Sequence, residues 1–384
     1  MGLIASLDIG SEKMVMAVAA EENGECRLAG IKMIALQGVQ DGIITDKSKV
    51  KSYIQYLIRE LAKDKPIDCL NVALSGKALR ISEHKVNVPI RKKVRESDIA
   101  QAENRCTELV LSKGDELVDI IPVTYAVDRG NYVTDPVGMT AKSLDVRFRV
   151  YLSDAAYLTE IRELMEACGV ENVEFFPPVR AYMEALDVYD RSEPFALIDM
   201  GATHTEVVLF RDGGLRYEIS LPLGAQTIDH DIVRAFSLED IQLAKKMKHQ
   251  YGVAIRAVCK NEKIDIPDVK KRIEKRDLAK VIQCRMEELL EGAVYQIQQW
   301  RFNDPKKEIV LTGGGSRLAE TELLLGRLSG QKVIRAKAAG IKTTNEDILE
   351  APSCLVALGL LLCEHSEPLE EKGGWGSWLN SIFR

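Results

Sequence analysis

The chain contains the stretch LIASLDIGSEKMVMAVA at residues 3–19 and a second stretch, LIDMGATHTEVVLF, at residues 197–210. Each is an apolar run that ends in Asp-x-Gly, followed by a small polar turn and a second apolar run. In both cases a glycine turn and a third strand-like stretch follow, at 26–31 and 215–220. This repetition predicts two similar domains, each built on a strand–turn–strand unit with an aspartate at its tip.

The two tips have the chemistry of a phosphate site. Their turns are rich in backbone N–H groups and hydroxyls, and each carries one carboxylate, which suits a polyphosphate and its metal. A single Asp-x-Gly is also common in ordinary hairpin turns, so the prediction rests on finding two in matching surroundings. The predicted phosphate-binding residues are Asp8, Gly10, Ser11, Lys13, Asp199, Gly201, Ala202, Thr203 and Thr205. Asp8 and Asp199 would hold Mg²⁺ through water, as that ion prefers.

A third element, VLTGGGSR at residues 310–317, lies between an apolar strand and a predicted helix. Successive glycines let the backbone lie flat against a ring system or a phosphate, with the helix N-terminus aimed at negative charge. Arg317 could stack on a purine face. The plain alternative is a flexible strand–helix connection.

Composition limits the function classes. The 384 residues carry a net charge of −6, with 46% hydrophobic and 29% charged residues, as in ordinary soluble proteins. The negative charge argues against a general nucleic-acid binder. Eight cysteines and five histidines show no metal-ligand spacing, and with no signal peptide we expect a cytosolic protein with reduced thiols. The apolar run at 355–363 is too short to span a bilayer and predicts a buried helix.

The pattern along the chain predicts several segments. A helix is expected at 47–63 and a strand at 69–75, and the block at 82–165 is long enough for a small core of its own. Residues 237–302 are heavily charged and are predicted to be helical throughout. A last buried helix is expected at 349–363, followed by an acidic linker at 364–374.

The last ten residues have a different character. Aromatic and aliphatic side chains recur there at helical spacing, at Trp375, Trp378, Leu379, Ile382 and Phe383. One apolar stripe after a flexible linker predicts an amphipathic helix that binds a membrane surface. A helix docked on the protein's own body or on a partner remains the alternative. Arg384 and the more distant Lys372 are the nearby cations, so binding would depend on apolar insertion.

In this order, the three elements resemble the phosphate 1, phosphate 2 and adenosine motifs of the actin, Hsp70 and sugar kinase superfamily. Within it the chain resembles the FtsA family of bacterial division proteins over nearly all of residues 3–363. Family-like strings are GVQDGIITD (38–46), NVALSGKALR (71–80), VTDPVGM (133–139), LPLGAQTIDHDI (221–232) and AKKMKHQYG (244–252). VTDPVGM lies in the block similar to the subdomain peculiar to this family.

The resemblance implies an α/β, actin-like ATPase fold with two ribonuclease H-like domains, an inserted subdomain 1C and a C-terminal amphipathic helix. Domain 1A would comprise 1–81, 166–194 and the final helix at 349–363, and subdomain 1C would be 82–165. Domain 2A would comprise 195–228 and 303–348, with domain 2B at 229–302. The linker would be 364–374 and the membrane-targeting helix 375–384.

The resemblance also implies ATP and Mg²⁺ between domains 1A and 2A, with adenosine at Lys248, Gly313, Gly314, Gly315, Ser316 and Arg317. Three departures from the family pattern bear on turnover. Ala202 and Thr203 replace two glycines, Lys245 replaces a common glutamate, and Pro177 replaces an acidic residue of the wider superfamily. We therefore expect ATP binding with at most slow hydrolysis.

The partners implied by the resemblance are those of a division protein. It would polymerise on the cytoplasmic face of the inner membrane at the division site and tether the FtsZ ring there. Domain 2B would receive the FtsZ C-terminal tail, Arg285 would take part in self-association, and subdomain 1C would contact other division proteins. The alternatives are an assembly scaffold similar to the pilus protein PilM, and a small-molecule kinase or chaperone ATPase.

Overall fold

The computed structural model describes residues 2–63, 65–128, 130–186, 188, 193–260, 262–266, 271–304 and 306–363. The predicted linker at 364–374 and the predicted amphipathic helix at 375–384 lie outside the described residues. The expectation of a membrane-binding helix therefore stays a prediction.

The first half of the chain forms a six-stranded mixed sheet packed against helix α1 (Lys47–Ala62). The helix begins because Asp46 accepts a hydrogen bond from the amide of Lys49, and it buries its apolar stripe on the sheet. A short hairpin precedes it. Four of the sheet's strands are β1 (Leu3–Ile9), β2 (Lys13–Glu22), β3 (Glu25–Ala35) and β6 (Ile67–Ala73), and the other two come later in the chain. The hairpin is a separate pair of strands, β4 (Val39–Gln40) and β5 (Ile43–Ile44).

An inserted subdomain follows β6 before the chain returns to the first sheet. Its four-stranded antiparallel sheet has the order β7-β10-β8-β9 and encloses a separate apolar core. Its elements are β7 (Arg80–Pro89), α2 (Glu96–Val110), β8 (Asp115–Val127), β9 (Asn131–Val133) and β10 (Ser143–Asp154). Helix α3 (Ala155–Glu166) follows and packs its apolar side into the core of the first half. The chain then re-enters the first sheet as β11 (Val173–Phe176) and continues into α4 (Pro178–Ala185).

The second half builds a five-stranded sheet with the topology of the first. Its strands are β12 (Phe195–Met200), β13 (Thr205–Arg211), β14 (Gly214–Leu221), β17 (Glu308–Thr312) and β18 (Lys332–Arg335). The order is β14-β13-β12-β17-β18, and in the first sheet β3-β2-β1-β6-β11 has the same parallel and antiparallel pairs. The structure thus confirms the repeated unit predicted from the two Asp-x-Gly stretches.

The region at 237–302 corrects the prediction of a wholly helical segment. It contains α6 (Ile241–Tyr251) and α7 (Lys275–Gln299), but between them β15 (Lys263–Ile266) pairs with β16 (Lys271–Glu274). In β15, charged residues alternate with buried isoleucines, the two-residue period of a strand. The high charge of the segment conceals that short alternation. The helix α5 (Gln226–Phe236) precedes this region.

The end of the described chain packs between the two halves. After α8 (Thr321–Ser329), the short strand β19 (Ile341–Lys342) joins the first sheet beside β3. The last helix, α9 (Leu355–Leu360), is much shorter than the predicted 349–363. Two buried side chains fix it to the sheet: the Ser6 hydroxyl donates to the carbonyl of Ala357, and the Asn71 amide to that of Leu360.

Candidate functional site

The two predicted tips face each other across a cleft between the sheets. The hydroxyls of Ser11 and Thr203, 192 residues apart in sequence, lie 3.0 Å from one another. Both turns are closed by the same backbone bond: the amide of the turn glycine donates to the carbonyl three residues later, at 3.0 Å for Gly10 and 2.9 Å for Gly201. The repeated sequence thus produces two turns of the same form, facing one another.

Lys13 brings a positive charge close to both tips of this cleft. Its ammonium group donates to the carbonyl of Ser353 at 3.0 Å, and a Cβ built on Gly314 would lie 3.9 Å from the same nitrogen. The charge of Lys13 acts on both Asp8 and Asp199, opposing the rise in their pKa. All three sequence elements therefore converge on one point.

Three half-buried carboxylates, those of Asp8, Asp199 and Glu206, lie close enough to influence one another. Burial raises the pKa of Asp8 to about 6, with Lys13 opposing the rise and Asp199 adding to it. Burial also raises the pKa of Asp199, against the effects of a hydrogen bond from Tyr182 and of Lys13. Glu206 lies beside Asp199 across the β12–β13 pair, and its pKa is raised well above the usual value by burial and then by neighbouring carboxylates.

This charge balance fits a divalent cation. Oε2 of Glu206 is buried and has no hydrogen-bond partner among the described residues, and the charges of Asp199 and Asp8 add to the rise in the pKa of Glu206. A bound cation would relieve that repulsion. Over the described ranges, no three His, Cys, Asp or Glu side chains are placed to bind a metal directly.

The glycine loop after β17 approaches the second tip closely. Gly313 has φ +87°, and a Cβ on it would fall 2.2 Å from Oδ1 of Asp199, so glycine is required there for two reasons. The loop does not lead straight into a helix as predicted, because a 3₁₀ turn (Gly314–Arg317) precedes α8. The Ser316 hydroxyl donates to the carbonyl of Gly313, while Arg317 is exposed.

Helix α6 forms the neighbouring wall of the cleft. Lys248 is buried there and donates to the carbonyl of Ala225 at 3.0 Å and to the carboxylate of Asp229 at 2.8 Å. Lys245, one turn earlier, forms a 2.5 Å ion pair with Glu12 of the first tip. From the sequence, Lys245 was noted only as a departure from the family pattern. In the structure its ion pair with Glu12 connects the two halves of the molecule.

The other predicted phosphate ligands differ in their surroundings. Thr205 is buried and its hydroxyl donates to the carbonyl of Leu223 at 2.7 Å, so its proton is committed within the protein. The Thr203 hydroxyl contacts Ser11 and the ring of His204 and lies at the tip. The carbonyl of Ala202 accepts from the amide of Gln226, which anchors the start of α5.

Sequence reasoning missed two site residues. Tyr182, on α4, is 1% exposed and donates its hydroxyl to Oδ2 of Asp199 at 2.7 Å. Glu206 carried a weak signal, since it is the acidic residue that opens the apolar run of the second hairpin strand. Tyr182 carried none, because nothing local shows that its helix lies against the tip.

Arg285, predicted to be a partner residue, lies on α7. Its guanidinium binds Asp231 of α5 with two hydrogen bonds, of 2.6 and 3.1 Å, and also contacts Glu288. The hydrogen bonds to Asp231 raise the pKa of Arg285. Its part in self-association stays a prediction. Across the part of the chain that the structure describes, no helix is long and apolar enough to cross a bilayer.

Known proteins with similar sequences and folds define the family. A model described as "Cell division protein FtsA" matches residues 196–359, and one described as "SHS2 domain inserted in FTSA" matches residues 76–152, which contain most of the inserted sheet. The cell division protein FtsA of Streptococcus pneumoniae is 26% identical over 344 residues, covering 86% of this chain and 75% of the relative.

Solved structures show the same fold at lower identity. The PilM–PilN type IV pilus biogenesis complex aligns with a TM-score of 0.69 at 19% identity, covering 94% of this chain and 97% of the other. MreB5 of Spiroplasma citri bound to AMPPNP aligns with a TM-score of 0.50 at 12% identity, covering 94% and 95%. The chain belongs to the FtsA family of cell division proteins and has the actin-like ATPase fold with the SHS2 insertion.

Proposed function

We propose that the chain binds ATP with Mg²⁺ in the cleft between the two tips. The observation that carries the proposal is the convergence of Asp8, Lys13, Asp199 and Gly314, drawn from three distant parts of the sequence. The likeness in fold to an MreB bound to an ATP analogue supports it.

Each group has a physical role in this proposal. Lys13 and the hydroxyls of Ser11 and Thr203 would bind phosphate oxygens, while Asp8 and Asp199 would hold Mg²⁺ through water. Mg²⁺ would neutralise phosphate charge and offset the acidity of the cleft. Adenosine would lie beside Lys248 and the loop from Gly313 to Arg317, through Gly315 and Ser316.

We expect binding with at most slow hydrolysis. Pro177 offers no carboxylate to orient an attacking water, and Oδ2 of Asp199 already accepts a hydrogen bond from Tyr182. A catalytic base must lie within hydrogen-bond reach of the proton that it removes. In this cleft Asp8 and Asp199 stand where the metal would be, and Asp199 is also held by Tyr182.

Titration with a fluorescent ATP analogue, with and without Mg²⁺, tests the site. Asp199→Asn and Lys13→Met should each weaken binding about tenfold or more, as expected for the loss of a charged contact. Asp68→Asn is the matched control, since Asp68 is an exposed carboxylate of β6 at the end far from the tip. Equal affinities for all four proteins would overturn the proposal.

In the cell we propose that the protein self-associates at the cytoplasmic face of the inner membrane and tethers the FtsZ ring. The family assignment supports this role, and the apolar stripe at residues 375–384 supports membrane binding. Residues 229–302 would receive the FtsZ tail, and the inserted subdomain would bind other division proteins. One short helix binds weakly, so assembly would supply avidity.

Liposome sedimentation of the full chain and of a chain ending at residue 374 tests the anchor. We expect the full chain to pellet with the vesicles and the shortened chain to stay in solution. If both chains pellet to the same extent, the proposal that residues 375–384 bind the membrane is refuted.

A PilM-like scaffold is the second candidate, because the fold aligns with the PilM–PilN complex at a TM-score of 0.69. A pull-down with an FtsZ tail peptide separates the two. Capture of the full chain favours the division role, and its failure under conditions that retain ATP binding favours the scaffold.

A further inference from the structure

The inserted subdomain contacts both halves of the molecule. Its chain leaves the first sheet after β6 and returns to it at β11, yet its strands bind β14 of the second sheet. Arg149 donates to the carbonyl of Glu218 at 2.9 Å, and the buried hydroxyl of Tyr151 donates to the carboxylate of the same residue. From the other side, Arg216 donates to the carbonyl of Val123. The insert therefore bridges the two halves.

Helix α4 lies between this insert and the phosphate cleft. Arg180 binds Asp119 of strand β8 with two hydrogen bonds, of 2.9 and 2.8 Å, and both side chains are largely buried. Two residues later, the hydroxyl of Tyr182 donates to Asp199 at the second tip. Side chains two residues apart leave an α-helix about 200° apart, on opposite sides. One short helix thus holds the insert with one side and the tip with the other.

The helix has little room to move alone. Its residue Ala181 lies against Gly359 of α9 so closely that a Cβ on this glycine would fall 2.1 Å from the Ala181 carbonyl oxygen. Val179, Ala181 and Tyr182 are all buried in the core between the halves. Packed interiors deform little. If Asp199 at the second tip is displaced, we therefore expect α4 to shift as a rigid unit rather than to bend.

We propose that Tyr182 is a positioning residue for Asp199, and that α4 couples occupation of the cleft by Mg·ATP to the docking of the inserted subdomain. This inference rests on the proposed nucleotide binding. A water bound to Mg²⁺ would compete with the Tyr182 hydroxyl for Asp199, and a resulting shift of α4 would alter the Arg180–Asp119 contact. Because coupling between two sites is reciprocal, loosening the insert must change the affinity for Mg·ATP.

Amide hydrogen exchange of the full chain, with and without Mg·ATP, tests the coupling. In the unmodified protein, Mg·ATP should change exchange in β8 and β10 of the insert. Tyr182→Phe should shift the Kd for Mg·ATP, because its hydroxyl no longer bonds Asp199, and at saturating Mg·ATP it should lose this remote response, since the ring still fills its site while the hydroxyl is gone. Tyr53→Phe, on α1, is the matched control and should respond as the unmodified protein does.

Asp119→Asn tests the same link from the insert. It should change exchange of the insert without nucleotide and shift the Kd for Mg·ATP by about fivefold, a modest allosteric coupling. Asp68→Asn should do neither. The Asp119→Asn variant keeps the proposal testable if Tyr182→Phe does not fold.

The outcomes separate the two proposals. Binding of Mg·ATP with no change in the insert, or a full response in Tyr182→Phe, refutes the coupling and leaves the nucleotide site standing. An unmodified protein that binds no ATP refutes both.

Discussion

Glu103 is expected to make the stability of this protein depend steeply on pH. It lies on α2 of the insert, 5% exposed, with its Oε1 unpartnered among the described residues. Burial raises its pKa from 4.5 to about 8; the charge of Arg180 opposes the rise and that of Asp119 adds to it. The folded state therefore keeps a proton that the unfolded state releases.

The size of the effect follows from the difference between the two pKa values of Glu103, 4.5 in the unfolded state and about 8 in the folded state. Below pH 4.5 both states are protonated and Glu103 contributes nothing. Between 4.5 and about 8 the folded state binds more protons, so the free energy of unfolding falls as the pH rises. At about 1.4 kcal/mol per pH unit, the full loss from Glu103 is roughly 5 kcal/mol and is complete above pH 8.

Urea unfolding from pH 4.5 to 9, followed by circular dichroism, measures it. Glu103→Gln keeps the shape and removes the proton, so it should match the unmodified protein at pH 4.5 and exceed its stability by roughly 3–5 kcal/mol at pH 9. Glu108→Gln, an exposed glutamate of the same helix, should follow the unmodified protein at every pH. A constant difference between Glu103→Gln and the unmodified protein would refute the reasoning.

Three further predictions concern the core and the cleft. Asn71→Ala removes the buried amide that donates to the carbonyls of Leu360 and Cys363, and urea unfolding should show a loss of about 2–3 kcal/mol. Gly313→Ala forces an L residue to positive φ and a methyl group onto Asp199, so the fluorescent-ATP titration should show strongly reduced affinity. With the pKa of Asp8 at about 6, apparent Mg·ATP affinity should fall about tenfold from pH 7 to pH 5; an equal fall in Asp8→Asn would contradict this.

The parts of the fold that are determined by residues close together in the sequence could be predicted. An apolar run that stops at Asp-x-Gly and resumes after a polar turn specifies a hairpin, and its repetition specified two sheets of one topology. The strand β15 (Lys263–Ile266) was not predicted, because an alternation of only four residues is hard to recognise within a heavily charged segment. The length of helix α9 was overestimated because an apolar run indicates that a segment is buried but not how much of it is helical.

The site could be predicted only in part, for a related reason. Asp8 and Asp199 stand at turns whose chemistry is local. Tyr182 is a site residue only because tertiary packing brings α4 against the second tip, and no nearby residue records that contact. Lys245 looked like the loss of a ligand, since its partner Glu12 is more than two hundred residues away and on the other half.

The buried bonds that hold the last described helix have a mechanical consequence. Ser6 and Asn71 fasten α9 to β1 and β6, and Asn71 also reaches the carbonyl of Cys363, where the described chain ends. A pull on the chain beyond that point would therefore act on these bonds and on the apolar packing of α9 together. Ser6 stands two residues before Asp8, so tension from an attached surface would be delivered to the strand that carries the first tip.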